Sequence, residues 1–523
     1  MGYDIFQFFF NGFTLLAIAI GLFYYYSIAT YNHWKKLKIK HLKPVPLFGN
    51  STQFIFFKKS LQQLQSEAYN TFKNEPFYGI YQLRDPVLVL RDPQIINDFL
   101  IKDFKNFYDR GAGFYFPDKK VNPLSMHLFR MEGERWRSVR QRLSPAFTSG
   151  KLKQMYDQML NCAEMFSGFI EKENIDTNGV SLDVKEMCER FTMDVIGSFA
   201  FGLECNSLKS NDEFVKYGTE VFKPRLSNSI RLLAGIINSK LPPLLGIPDL
   251  PNNLKNFFLN LSLEMVQYRR KNAVKRNDVM EQLMALQNTY INPKYKVPDT
   301  QTKLLVNEEF DEIDIAANSY LFFEAGFETT ATTLSFCLYE ITVNQHVQDK
   351  LRKEIEEVRK KYNGEINADI LKEMKYMDAV ISETLRIYPA VMLLIRKCTE
   401  PYVIRDTNIK LNQGTSVMVP VYAIHHDPNN FADPEKFDPE RFYNEENVKN
   451  RPPGSYLPFG DGPRYCIGRR FALLEIKTAL AYLLPKYKFE PCEKTEIPLT
   501  FKNSSVMLSP KNGLWTHITK LKK

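Results

Sequence analysis

Apolar positions along the chain fall into a few clear patterns. Ile5 to Ile28 holds no charged residue and is dominated by Phe, Leu, Ile, Ala and Tyr. At ~1.5 Å per residue such a run can span a hydrocarbon core of about 30 Å. Tyr24, Tyr25 and Tyr26 near its far end suit a membrane–water interface, and Lys35, Lys36, Lys38, Lys40 and Lys43 follow directly; positive flanks of this kind stay on the cytosolic side. A cleaved signal peptide would have a basic start and a shorter apolar centre, whereas here Asp4 precedes a long run. A retained N-terminal transmembrane anchor over residues 1–30 is therefore expected. Lys43-Pro44-Val45-Pro46 is stiff and extended, which makes residues 31–50 a basic and proline-rich hinge.

Beyond the hinge the periodicity changes. Residues 78–91 read as two short strands around a turn at Asp85-Pro86, and Asp92-Pro93 starts a helix with Ile95, Ile96 and Leu100 on its apolar positions. Residues 111–117 form a loop rich in Gly and aromatics, suited to an apolar pocket. Residues 218–275 read as two core helices joined by a loop that contains Leu232, Leu233, Leu241, Leu244, Leu245 and Ile247. Residues 290–310 read as a solvent-exposed loop. Asp311 to Tyr339 is one long helix, acidic in its first turn and apolar in its middle. A second apolar helix, from Arg470 to Leu484, follows a loop rich in Pro and Gly. No linker interrupts residues 51–523, so they are expected to form one large unit, mainly α with smaller β-sheets (α+β).

Charge and composition narrow the partners. With Lys+Arg 69 against Asp+Glu 60, the net charge of +9 suits an acidic protein partner or an anionic membrane, and no nucleic-acid motif is present. The seven cysteines are scattered without a CxxC pair, which fits a reducing compartment rather than a disulfide framework. The seven histidines show no HExxH or other zinc spacing.

The chemistry concentrates in a few stretches. In Phe459-Gly460-Asp461-Gly462-Pro463-Arg464-Tyr465-Cys466-Ile467-Gly468 one cysteine stands at a helix N-terminus near Arg464, a setting that favours thiolate. Gly462 and Gly468 would let something flat and large approach the backbone. Trp136 and Arg140 are four apart and share a helix face, where an indole N–H and a guanidinium suit a buried carboxylate. In Ala325-Gly326-Phe327-Glu328-Thr329-Thr330 a small pair costs helix stability, which makes sense if something lies against the helix. Glu328 and Thr329 set a carboxyl and a hydroxyl beside it, able to relay protons. Glu383 and Arg386 are three apart on one face.

Together these stretches resemble the cytochrome P-450 superfamily, in order and over nearly the whole chain, and most closely its microsomal, membrane-anchored, xenobiotic-metabolising insect members. Phe459, Gly462, Arg464, Cys466 and Gly468 match its haem-binding loop, Trp136 and Arg140 its WxxxR, Ala325 to Thr330 its AGx(D/E)T(T/S), and Pro439 to Phe442 its PxRF. The resemblance implies the cytochrome P-450 fold, with haem buried between the long central helix and the cysteine loop. It implies Cys466 as axial ligand of the haem iron, contacts to the haem from Phe459 and Gly468, and propionate contacts from Arg110, Trp136, Arg140, Arg396 and Arg464. Thr329 and Glu328 would carry the proton relay, while Glu383, Arg386 and Arg441 would form a structural ion network. Residues 390–394 and 504–507 would line the pocket, and His425-His426 would be structural. The implied reaction inserts one atom of O₂ into a lipophilic small molecule, a xenobiotic or an endogenous lipid or hormone, with electrons from NADPH. These would arrive through NADPH–cytochrome P-450 reductase, with cytochrome b5 as a further donor, docked on basic residues such as Arg137, Arg142, Lys436, Arg451, Arg469 and Arg470. The implied location is the endoplasmic reticulum membrane, with the catalytic domain, residues 51–523, in the cytosol. Two rival classes remain: a haem-thiolate isomerase or dehydratase acting on peroxides, and a haem carrier or sensor without catalysis.

Overall fold

The computed structural model describes all residues except 1, 112–118, 173–178, 204–206, 208–212, 224, 226–230, 232–233, 235–240, 292–309, 506 and 522–523, and the side chains of 2–12, 243 and 288–291 are likewise outside the description. The Gly- and aromatic-rich loop, the polar loop near residue 300 and part of the 218–275 segment lie largely among these. The long apolar run folds as one helix, α1 (Gly2–Ile28). The expected transmembrane span is not recovered: among the described residues, no helix is long and apolar enough to cross a membrane. Described side chains begin at Phe13, and from there to Ile28 the helix is shorter than the roughly 20 residues a hydrocarbon core requires.

The residues after α1 are laid against a hairpin of β1 (Phe77–Gln82) and β2 (Asp85–Leu90). Trp34 is wholly buried and its Nε1 donates to the Ile80 carbonyl at 2.9 Å, while the Tyr81 hydroxyl donates to Tyr31 O at 2.9 Å. The turn falls at Leu83-Arg84, two residues earlier than the sequence pattern placed it. Leu83 takes the left-handed conformation (φ 58°), and Asp85 and Pro86 already pair with Gln82 and Tyr81. Pro86 has no N–H to give, so it sits at the strand start, before β2 begins its parallel pairing at Val87.

Helix α2 (Pro93–Asn97) starts as expected, with the Asp92 carboxylate accepting the Ile95 N–H at 2.9 Å and Pro93 in the first turn. Then come α3 (Gly133–Leu143), α4 (Ser149–Lys172), β3 (Val180–Asp183), α5 (Val184–Phe201) and the long α6 (Glu312–Val343). Asp311 caps α6 in a reciprocal box with Asp314. Apolar all round, α6 is buried along most of its length. After α7 (Lys375–Ile387), β4 (Leu394–Lys397) and β5 (Ser416–Val419) complete a four-stranded sheet in the order β1-β2-β5-β4. Helix α8 (Arg469–Leu483) and the strands β6 (Tyr487–Glu490) and β7 (Trp515–Lys520) close the chain, with a second sheet ordered β3-β7-β6. A helix-rich chain with small sheets is the fold class the sequence predicts.

The ion network forms. Arg386 Nε and Nη2 donate to the two Glu383 oxygens at 2.8 and 2.9 Å, and neither side chain is exposed to solvent. Arg441 Nε lies 3.3 Å from Glu383 Oε1, and the Asp438 N–H donates to the same oxygen at 3.0 Å. Arg386 Nη1 donates to the His425 carbonyl at 2.9 Å. His425 in turn bonds through Nδ1 to Arg386 O at 3.1 Å, and its Nε2 accepts the Leu457 N–H at 2.9 Å. Both ring nitrogens are thus used, burial holds the imidazole well below its ordinary pKa, and the histidine is structural, as the sequence reading held.

Removing one member of a buried pair leaves the other charge without a counter-ion. Arg386→Ala is expected to lower unfolding free energy by about 3–5 kcal/mol or to prevent recovery of folded protein. Arg137→Ala, at the exposed 4.0 Å contact with Glu134, should leave stability within about 0.5 kcal/mol. Denaturant unfolding of both variants checks this, and equal midpoints would refute the assignment.

Candidate active site

The cysteine loop is built from backbone constraints. The Cys466 N–H donates to the Phe459 carbonyl at 2.8 Å and closes the loop on itself. Gly462 has φ +69°, and a Cβ there would lie 1.9 Å from the Leu100 carbonyl oxygen. What approaches Gly462 is therefore the chain near α2, not a flat ligand. Gly468 fits the expected role better, since the nearest atom to its missing Cβ is Cys466 Sγ at 4.0 Å, and it stands directly before α8. Burial pushes the Cys466 thiol above its ordinary pKa, against the Gly468 N–H and the guanidiniums of Arg140, Arg110 and Arg469, which pull it down. A bound metal ion would displace the thiol proton outright.

Around this thiol stand Arg110, Arg140, Arg396 and Arg464, each expected from the sequence. Arg464 Nε donates to Tyr108 O at 2.5 Å and its Nη2 to Met131 O at 3.0 Å, and the Asp109 carboxylate lies 3.4 Å from Nη2. Arg110 Nη2 donates to Arg464 O at 3.4 Å, and Arg140 Nη2 to Tyr465 O at 2.9 Å. Arg396 Nη1 bonds only its neighbour's carbonyl, Ile395 O, at 2.8 Å. Trp136 does not act with Arg140: its ring lies 4.0 Å from the Arg464 guanidinium and holds that side chain in place. Burial pushes Arg396 down to about 10 and Arg464 down to about 9. A guanidinium stays charged at neutral pH, so the crowding is carried as unfavourable free energy. Arg396 Nε and Arg464 Nη1 are buried without hydrogen-bond partners. These residues fit a group with two negative charges, such as the propionates of a haem.

The α6 segment from Ala325 to Thr329 departs from its expected geometry in two respects. Gly326 is required by α5, because a Cβ there would stand 2.5 Å from Ile196 Cδ1. It is Ala325 that is exposed on an otherwise buried helix, so the helix surface opens there. Thr329 Oγ1 donates to Ala325 O at 2.6 Å, the back-bond of a helical threonine. Glu328 points to α5, where Lys185 Nζ holds its Oε1 at 2.8 Å and also lies 3.2 Å from Glu189. Glu328 and Thr329 make no hydrogen bond to one another. Lys185, far away in sequence and unremarkable in context, was not legible as the partner of Glu328.

A cavity of about 1080 Å³ opens between the β1–β2–β5 sheet and α6. Of the residues expected to line it, 390–394 and 504–507, Leu393 alone borders it among those described, and Ser125, His127, Arg130, Tyr320 and Glu324, none of which the sequence reading assigned to the pocket, do as well. Cys466 and Thr329 are not part of its lining. Val506 lies outside the described residues. Of the basic residues read as a docking face, Arg451 is committed to packing over the Phe442 ring at 4.0 Å, while Arg137, Lys436, Arg469 and Arg470 are exposed.

A helix-rich fold with small sheets, a thiol among uncompensated guanidiniums and a central helix open at Ala325 define the class of haem-thiolate enzymes. The chain belongs to the cytochrome P450 family, whose model matches residues 40–517. It is similar to the probable cytochrome P450 6a14 of Drosophila melanogaster, 39% identical over 517 residues, covering 97% of this chain and 99% of that one. It is also similar to cytochrome P450 6a2 of the same fly (36%, covering 97% and 99%) and to cytochrome P450 6j1 of Blattella germanica (34%, covering 97% and 98%). Proteins of this family carry cysteine-ligated haem iron and act as monooxygenases, and this chain is such an enzyme.

Arg396→Gln is expected to speed haem transfer to an apo-haem acceptor by about tenfold, the loss of one charged hydrogen bond. It should leave unfolding of the haem-free protein unchanged or slightly harder, because it relieves repulsion. Haem retention equal to the parent's would remove Arg396 from the set.

Proposed function

We propose that this chain inserts one oxygen atom of O₂ into lipophilic small molecules, xenobiotics in particular, with NADPH electrons delivered by NADPH–cytochrome P-450 reductase. The observation that carries the reading is the cluster of four guanidiniums beside a single loop thiol, two of them with orphaned nitrogens. Cys466 is the residue that holds the iron, and the bound haem supplies the redox chemistry that activates oxygen. Arg110, Arg140, Arg396 and Arg464 neutralise the propionates, Trp136 fixes Arg464, and Phe459 and Gly468 leave room beside the sulfur.

Proton delivery falls to α6. With its hydrogen committed to Ala325 O, the Thr329 oxygen accepts a hydrogen bond from water at the helix opening and holds that water in place. Glu328 Oε1, shared by the Lys185 ammonium and the Thr332 hydroxyl (3.4 Å), sits on the α5 side as a proton store and passes protons on through water.

Residues 1–30 anchor the chain in the endoplasmic reticulum membrane, residues 31–50 form the basic, proline-rich connection, and residues 51–523 are the catalytic domain facing the cytosol. Support comes from the apolar side chains that α1 exposes between Phe13 and Tyr25, and from the solvent-facing Phe56, Phe57, Leu244 and Leu245 on the folded part. The exposed Arg469 and Arg470 offer an acidic reductase a docking point.

The test is turnover in membranes with added reductase, NADPH and isotopically heavy O₂ against a panel of lipophilic compounds. One heavy atom per product is expected, and Cys466→Ala should abolish both turnover and the thiolate-type spectrum of the carbonyl complex. Products formed without heavy oxygen would turn the reading towards rearrangement of peroxides.

A further inference from the structure

The cavity wall on α6 carries a carboxyl that the reaction does not need. Glu324 lies in an apolar run, after Leu321, Phe322 and Phe323 and immediately before Ala325. Much of the cavity around it is apolar, with Leu124, Val221, Leu250, Leu393 and Met418 on its walls. Such a group costs several kcal/mol to bury unless something pairs with it.

The guanidiniums on the same wall are already engaged. Arg130 and Arg231 both bind Asp249, which also accepts the Ser125 hydroxyl at 2.7 Å. Arg225 donates to the Glu220 carbonyl. Asp249 is thereby engaged by two guanidiniums and a hydroxyl. Glu324 makes no ion pair with any described residue. Burial raises its carboxyl pKa and Asp249 raises it further, against the Arg130 charge and a hydrogen bond from Tyr320, which lower it. Tyr320, one turn earlier on α6, is 3% exposed, and His127 is 2% exposed across the cavity. The Tyr320 hydroxyl lies beside the Glu324 carboxyl, and His127 Nδ1 has no hydrogen-bond partner among the described residues. The cavity wall on α6 thus carries a carboxyl whose neighbour is a neutral phenol, with no counter-ion among the described residues.

We propose that Glu324 is a substrate-recognition residue that binds the protonated nitrogen of a lipophilic amine inside the cavity. Tyr320 supplies an adjacent oxygen to the same head group. The amine is held one residue from Ala325, at the point where α6 opens, and the apolar remainder of the molecule fills the space towards Leu393. The preference is for bases over acids, because Arg130 and Arg231 beside it are paired with Asp249 while Glu324 has no counter-ion among the described residues. This deepens the monooxygenase reading and rests on it for the statement that the ligand is a substrate.

The experiment uses purified haem-loaded enzyme and equilibrium dialysis, so that binding is read without turnover. The probes are three molecules of one shape: a hindered tertiary amine too crowded to reach iron, its neutral carbon isostere, and a carboxylate analogue. The parent enzyme should bind the amine about tenfold or more tighter than the isostere, the range of one charged hydrogen bond. Glu324→Gln should bring the two within about threefold and leave the isostere's affinity unchanged, while Glu324→Asp should keep part of the preference. An amine preference that survives in Glu324→Gln, its absence in the parent, or tighter binding of the carboxylate would overturn the proposal. Heavy-oxygen incorporation into the neutral isostere is followed separately. If that fails while the amine preference depends on Glu324, the recognition site stands and the monooxygenase reading falls.

Discussion

The bidentate pair between Glu383 and Arg386 is the constraint on which the reactive part of this molecule hangs. Two charges taken wholly out of water stabilise a fold only if every remaining lone pair and proton is used. Here each is used by a different segment. Glu383 gathers Arg441 and the Asp438 N–H, so the chain around Pro439 must return to α7. Arg386 takes the His425 carbonyl, and His425 relays the constraint by accepting the Leu457 N–H. Leu457 accepts the Gly460 N–H at 3.0 Å, and the carbonyl of the intervening Phe459 accepts the N–H of Cys466. A fixed sulfur position is thus reached from a buried ion pair in four hydrogen-bonded steps, none of which touches a substrate.

The arginine cluster works by the opposite logic. Arg110, Arg140, Arg396 and Arg464 are held close enough to raise each other's free energy, with backbone carbonyls and a single carboxylate as internal acceptors. Such an arrangement weakens the chain on its own, a cost that a bound dianion would offset. Binding that stabilises only the folded state then shifts stability by mass action. Rigid anchoring of Arg464 by the Trp136 ring and the Met131 carbonyl keeps the cluster from relaxing into solvent.

Much of this was legible in the sequence, because spacing along one helix or within one loop fixes geometry locally. Glu383 and Arg386, the Asp311 cap and the Asp92-Pro93 start are all contacts within a few residues, and each forms. Identity of neighbours across space was not legible. Gly326 is small for the sake of Ile196 and Gly462 for the sake of the Leu100 carbonyl; each glycine announces a close approach but not what approaches. The hairpin turn was displaced by two residues because Leu83 accepts a left-handed conformation that a sequence reader would reserve for glycine or asparagine. The buried cluster of Arg130, Arg231 and Asp249 joins segments more than a hundred residues apart, and no local period records it.

Glu324 and Glu328 show how far the surroundings decide what one residue type does. They stand one turn apart on the same buried helix, and both interrupt an apolar run. Glu328 meets Lys185 on α5 at 2.8 Å and is held as an ion pair that also touches Glu189. Glu324 meets a cavity whose nearest cations are already bound to Asp249. One carboxylate is therefore satisfied by the protein itself. The other has a tyrosine beside it but no counter-ion among the described residues, which favours a molecule of opposite charge. Under the proposal made for Glu324, the helix whose surface opens at Ala325 carries, one residue earlier, a group that selects substrates by charge.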